Sequence, residues 1–236
     1  MAEVNFCTRG SHALWQPFRT LLYKFNSWRA DPAFFEPEGI WIFCGPQGSG
    51  KTLSAVQACL EMKDRYPQAL VCSNMPLNNV DFDVIPFECY EQLGELENGT
   101  HGVIFLLDEV HILWNSLESK NIPFSEMALF CQMRKARRVI LGTSQVYSRI
   151  AKPIREQLKY IVDCHNYFGL IQSNDILDPQ RCVEINGNIS PDVLFHQWWF
   201  HRPELYEQFD TLGKIERIDR FAQPSTLGRY YGSSRS

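Results

Sequence analysis

Apolar positions along the chain fall into two rhythms. Continuous apolar runs at residues 40–44 (IWIFC), 103–107 (VIFLL) and 139–143 (VILGT), with shorter ones at 69–73 and 160–163, have the character of strands buried on both faces of a parallel sheet. Helical spacing intervenes at residues 53–63, briefly near 90–96, and at 125–136, where Met127, Phe130 and Cys131 share one face. This alternation predicts an α/β fold, a mostly parallel central sheet flanked by helices. Ahead of it, Leu14, Trp15, Phe18, Leu21, Leu22 and Phe25 recur at helical spacing and stop before Asp31-Pro32. Such an amphipathic arm needs a surface to cover: its own domain, a neighbouring subunit or a membrane-associated partner. Behind it, residues 74–100 are rich in Asn, Asp, Pro and Glu and read as loop apart from the short helix. Aromatic, β-prone runs at 167–172, 181–186 and 194–200 are divided by Asp178-Pro179, Asn186-Gly187 and Ser190-Pro191, and predict short C-terminal edge strands. The chain thus divides into an arm at 1–37, a core domain at 38–222 and a tail at 223–236, where Pro, Ser, Gly and Arg predict disorder.

Composition narrows this picture only slightly. A chain of 236 residues with 44% apolar content can bury one substantial core. A formal charge of −4 argues against a generally basic coat for nucleic acid, so any such contact must come from local patches. The eight cysteines form no CxxC pair and no cluster with histidine, which predicts reduced core thiols and no metal site beyond magnesium. No basic start runs into a long apolar segment, and no apolar stretch approaches the roughly 18 residues a membrane span requires. Neither a signal peptide nor a transmembrane segment is therefore expected.

Chemistry concentrates where the first apolar run ends. Gly45-Pro46-Gln47-Gly48-Ser49-Gly50-Lys51-Thr52 fits the phosphate-loop pattern, two glycines flanking four residues and then Lys and Thr, between a strand and a helix. Glycines let backbone N–H groups turn inward on clustered negative charge, and the following helix adds the positive end of its dipole. Lys51 is expected to reach the β- and γ-phosphates of ATP and Thr52 to hold Mg2+. The run at 103–107 ends in Asp108-Glu109, a Walker B pattern: Asp108 is assigned to magnesium, and Glu109 to activating the attacking water rather than merely capping a helix. After the run at 139–143, Gln145 is the candidate sensor of the γ-phosphate. Arg134, Lys135, Arg137 and Arg138 gather at the end of the helix before that run, an arrangement that a solvated helix end would also favour.

In this order, the phosphate loop, FLLDE, the basic helix end, the apolar strand, Thr143-Ser144-Gln145 and the segment from Ser148 to Arg155 resemble the FtsK–HerA superfamily of P-loop NTPases, with a RecA/FtsK-like fold. Within it the chain is similar to two viral branches: genome-packaging ATPases of membrane-containing tailless viruses, and the N-terminal ATPase domain of zonula occludens toxin-like proteins used in filamentous phage export. The resemblance covers about residues 38–165, and residues 204–211 resemble the Tyr-Asp-Thr segment that closes the domain in the viral ATPases, with Phe209 before the Asp. It implies an arginine completing a neighbour's site, with Arg134 matching best and Arg149 and Arg155 as reserves. The chain departs from the pattern after Glu109, where His111-Ile112-Leu113-Trp114-Asn115 leads into a loop with Pro123.

The resemblance implies a ring-forming ATPase, a pentamer or hexamer that moves DNA and docks on a capsid vertex or a membrane-bound phage protein in the cytoplasm of an infected cell or in the virion. Export proteins of this type carry a transmembrane helix after the ATPase domain, so its absence here leans the expectation towards packaging. A small-molecule kinase would also need the loop, but no acceptor motif is seen, and a non-hydrolysing structural role sits poorly with intact Lys51, Thr52, Asp108 and Glu109.

Overall fold

The computed structural model describes residues 34–36, 39–114, 130, 132–133, 135–181, 183–185, 188–190 and 192–209. The expected N-terminal arm, most of the helix at 125–136 including Arg134, and the C-terminal tail lie outside the described residues.

Ten strands follow in chain order: β1 (Gly39–Cys44), β2 (Leu70–Ser73), β3 (Val84–Pro86), β4 (Val103–Leu107), β5 (Arg138–Ser144), β6 (Leu158–Tyr167), β7 (Ile171–Leu177), β8 (Val183–Ile185), β9 (Asn188–Ser190) and β10 (Val193–Phe200). Eight form one sheet in the order β10-β7-β6-β1-β5-β4-β2-β3. From β3 to β6 all neighbours are parallel, while β7 and β10 add antiparallel strands at one side. The described helices are α1 (Lys51–Arg65), α2 (Gln92–Glu95), α3 (Lys152–Arg155) and α4 (Pro203–Glu207).

Strands without polar alternation are explained by cover on both faces. On β4, Ile104 and Leu106 pack with Leu53 and Val56 of α1, whereas Val103, Phe105 and Leu107 join Phe87, Trp114 and Phe130 on the other face. Each such fully buried side chain contributes on the order of 1.5–3 kcal/mol relative to exposure. The topology then places the chemistry. Because β5 lies between β1 and β4 and runs parallel to both, the segments leaving all three strands emerge at one carboxyl edge of the sheet.

Several expectations need correction. Residues 167–172 are not a strand but straddle a turn: β6 is ten residues long and folds over at Phe168-Gly169 into β7. Both tip residues have positive φ, 56° and 68°, as a tight hairpin turn demands, and the Gly169 N–H donates to Asn166 Oδ1 at 3.0 Å. β7 is internal, and the edge is β10, where the run at 194–200 was expected. From the run at 181–186, β8 pairs outside the main sheet, antiparallel to β9. Within the stretch 74–100, β3 forms where loop was expected, because it can pair with β2 at the sheet margin.

Two members of the basic cluster do not fit a solvated helix end. Arg138 opens β5 and is only 3% exposed, its guanidinium donating to Leu96 O (3.1 Å) and Gly94 O (2.6 Å). Arg137 donates to Phe35 O at 2.9 Å and lies 3.8 Å over the Phe34 ring. Both arginines tie elements together, Arg138 buried and Arg137 half-buried.

The described part of residues 204–211 closes the α1 side of the core. Leu205 and Phe209 are buried there, Phe209 bridges to Leu77, and the Arg202 guanidinium donates to Gln57 Oε1 of α1 at 2.8 Å. No helix among the described residues is long and apolar enough to cross a membrane.

Cys44, Cys59, Cys72, Cys89 and Cys164 are free and buried. Burial pushes all five thiols up, Cys59 to about 12, so the reactive thiolate is scarce. Iodoacetamide at pH 8 should leave these five unlabelled in the native protein and label them all in guanidinium, as read by peptide mass spectrometry. Native labelling of Cys44 or Cys164 would mean that the sheet opens beside the glycine-rich loop.

Candidate nucleotide site

The glycine-rich loop leaves β1 at Cys44 and enters α1 at Lys51. Gly45, Gly48 and Gly50 have φ of 146°, 82° and 81°. A Cβ at Gly45 would lie 2.4 Å from Ser49 Oγ and 3.0 Å from Cys164 O, so a side chain there would collide with the loop itself. The Ser49 N–H donates to Pro46 O at 3.2 Å, which curls the loop back towards β1. Ser49 Oγ is buried without a hydrogen-bond partner, and Lys51 is only 7% exposed. A concave backbone with an orphaned hydroxyl and a buried cation is chemically suited to a phosphate chain.

Asp108 and Glu109 begin the turn after β4. The Thr52 hydroxyl donates to Asp108 Oδ1 at 3.1 Å, and the Thr143 hydroxyl of β5 donates to the same oxygen. Thr143 Oγ1 in turn accepts from the Glu109 N–H at 2.9 Å. From the end of β2, Asn74 grips the Asp108 backbone twice: its Nδ2 donates to Asp108 O (3.0 Å) and its Oδ1 accepts from the Asp108 N–H (2.8 Å). Three strands therefore fix one carboxylate beside Thr52. That pair of hard oxygens fits a magnesium ion.

Glu109 adopts φ of 53°, an uncommon left-handed conformation for a non-glycine residue. Its side chain is held on two sides: Gln145 Nε2 donates to Oε1 at 3.2 Å, and His111 Nδ1 stands 3.0 Å from Oε2, out of line for a hydrogen bond. The expected residues Gly45 to Thr52, Asp108, Glu109 and Gln145 thus converge at one edge of the sheet. Arg149 is exposed on the turn Tyr147–Arg149 after Gln145, and the Arg155 guanidinium lies 5.1 Å from the Tyr147 ring centroid.

Sequence reasoning missed Asn74, Thr143 and His111 as parts of this constellation. Thr143 carried a signal, as a polar residue closing an apolar run two positions before Gln145. Asn74 looked like a strand breaker, and His111 was seen without a partner.

On the outer side, β6 and β7 wall the loop. Gln172 Nε2 donates to Ser49 O (3.0 Å) and to Asn174 Oδ1 (3.1 Å), Asn174 Oδ1 also accepts from Ser54 Oγ (3.0 Å), and Asn166 Nδ2 reaches Gly48 O (3.4 Å). Asp163 stands in register with Cys44, the last residue of β1. Burial pushes its carboxyl up, partly countered by His165.

This fold, with this loop at its centre, is that of the P-loop NTPases. The N-terminal domain of zonular occludens toxin from Neisseria meningitidis superposes with a TM-score of 0.54 over 73% of this chain and 98% of that one, at 12% identity. The genome packaging NTPase B204 of Sulfolobus turreted icosahedral virus 2, in complex with ATP-gammaS, matches at a TM-score of 0.47 and 10% identity, over 64% of this chain and 95% of that one. The zonula occludens toxin-like ATPase domain that the sequence resembles is thus among its structural neighbours. No protein-family model and no curated protein matches the sequence.

Proposed function

We propose that the chain is an ATP-hydrolysing motor that works on DNA as a homo-oligomeric ring in an infected cell, with viral genome packaging as its task. The observation that carries the catalytic part is the pairing of Thr52 with Asp108 and of Gln145 with Glu109, side by side. One carboxylate is committed to a hydroxyl and suits a metal; the other is presented by a side-chain amide.

In this reading the backbone N–H groups of Gln47, Gly48 and Gly50 and the Lys51 ammonium receive the β- and γ-phosphates. Mg2+, held by Thr52 and Asp108, would neutralise charge on the leaving and transferring oxygens. Glu109 accepts a proton from water as its oxygen attacks the γ-phosphorus, the bond to the bridging oxygen breaks, and ADP departs with that electron pair. Gln145 orients Glu109, and His111 lies against the same carboxylate. Arg134, or failing it Arg149 or Arg155, supplies charge to a neighbouring subunit's site.

A second setting, virion export by filamentous phages, has in its favour that the zonular occludens toxin domain is built on the same fold nearly end to end. Both settings require a DNA-responsive ATPase. With purified protein, ATP hydrolysis should rise at least about tenfold when DNA is added, as electrostatic capture on DNA templates the ring. Hydrolysis that ignores DNA but accelerates with a small phosphate acceptor would instead indicate a kinase.

A further inference from the structure

We infer that Gln172 is the positioning residue of the phosphate loop: the loop takes its working shape from a buried amide on β7, two strands beyond β1. This deepens the nucleotide-site reading above and rests on it.

Gln172 is fully buried and sits 123 residues from the loop carbonyl it binds. A primary amide has two N–H donors, and both are committed: one to Ser49 O at 3.0 Å, the other to Asn174 Oδ1 at 3.1 Å. Asn174, 2% exposed, accepts with the same oxygen from Ser54 Oγ in the first turn of α1. One polar pair on β7 therefore holds both the end of the loop and the start of the helix.

Peptide planarity turns this anchor into aim. In a trans peptide the carbonyl and the next N–H point in opposite directions. With the Ser49 carbonyl drawn outward to Gln172, the Gly50 N–H is directed inward, to the concave side of the loop. Gly50 itself is shaped by the same contact: a Cβ there would stand 2.1 Å from Gln172 Oε1, in addition to the strain of φ 81°. The third loop glycine is needed for Gln172 as well as for the turn.

The remaining atom of the amide ties the loop to the closing segment. Gln172 Oε1 can only accept, so His201 Nε2, 3.4 Å away, carries the proton, and His201 Nδ1 contacts the hydroxyl of Tyr206 on α4. Burial holds this imidazole below its usual value, partly countered by a hydrogen bond to the Gly169 backbone, which favours its neutral form.

Gln172→Met tests the assignment, because it keeps the side chain's length and packing while deleting the hydrogen bonds. Binding of fluorescent ATP and ADP analogues should weaken about tenfold for both, with kcat at saturation within about twofold of wild type, since the aimed N–H serves bound ground state and transition state alike. Hydrogen exchange without nucleotide gives an independent arm: peptides spanning residues 45–52 should exchange at least about tenfold faster in the variant, with the β4 peptide unchanged. Equal loop exchange, or a uniform rise across the sheet, would overturn the role of Gln172. If wild-type protein bound no nucleotide, the ATPase reading would fall, and the exchange comparison would still decide whether Gln172 shapes the loop.

Discussion

Lys51→Ala should lower ATP hydrolysis by at least about a hundredfold while leaving the fold intact. The magnitude follows from removing one preorganised charge from a water-poor site, where such a group is worth roughly 10²–10³ in rate. Its small exposure gives Lys51 little solvent to screen it, so the alanine variant offers the phosphate chain no equivalent counter-charge. The fold is expected to survive because alanine is the best helix former at the start of α1. Turnover by purified Lys51→Ala at the wild-type rate would place the active site elsewhere. The variant also tests assembly. If Arg134 completes a neighbour's site, Lys51→Ala and Arg134→Ala subunits, each inactive alone, should recover partial hydrolysis when mixed, because some interfaces join an intact loop to an intact arginine. No recovery in co-assembled mixtures would assign Arg134 to its own subunit and direct the same test to Arg149 and Arg155.

Glu109→Gln should separate binding from chemistry. The amide keeps the size of the side chain, and its oxygen can still accept from Gln145 Nε2, yet it cannot take a proton from water. General-base catalysis is worth about 10²–10⁴ in rate, so hydrolysis should fall by that order while ATP and magnesium still bind through the loop, Thr52 and Asp108. Rapid filtration should then recover unhydrolysed ATP on the variant. Loss of ATP affinity without a trapped complex would make Glu109 a metal-holding or structural residue. The left-handed backbone at Glu109 gives the same test a stability readout. Glutamine tolerates that conformation no better than glutamate, so the melting temperature should hardly move.

The central strands were legible because nothing competed with their pattern. β1 and β4 are apolar at nearly every position, β5 is apolar from Val139 to Leu141, and the loop after β1 carries its chemistry in spacing alone. The groups that hold the site in shape were not legible, since they act across long sequence separations. Gln172 and Asn174 sit in a strand whose other residues include Ser173 and Asp175, so β7 reads as a polar stretch and its alternation is obscured. Its inward amides look like solvent-facing residues until β6 and α1 are in place. The hairpin tip misled for a related reason: Phe168 and Leu170 extend the aromatic, apolar composition of a strand, while positive φ at Phe168 and Gly169 makes residues 168–170 a turn. Arg137 and Arg138 show the limit of charge patterning. Two adjacent arginines at a predicted helix end look solvated, yet one crosses to Phe35 and the other is swallowed by the carbonyls of residues 94 and 96.

The placing of β5 between β1 and β4 also governs which parts of the molecule are free to respond to a ligand at the loop. Ladder bonds from β5 to both neighbours, six register pairs with β1 and five with β4, lock the three strands into one plate. A plate of this kind cannot shear without breaking several hydrogen bonds at once. In the proposed ATPase, a change of nucleotide state would therefore leave the plate through parts on its rim: the side chains of Thr143 and Gln145, the turn from Glu109 to Trp114, and the segment that starts at Tyr147. The turn is itself latched, by the Ala151 N–H donating to Trp114 O at 2.9 Å and by Trp114 Nε1 donating to the Tyr90 hydroxyl at 2.6 Å. The site is thus a stiff anvil, and the turn beside it is tied through Ala151 to the segment that carries the exposed Arg149.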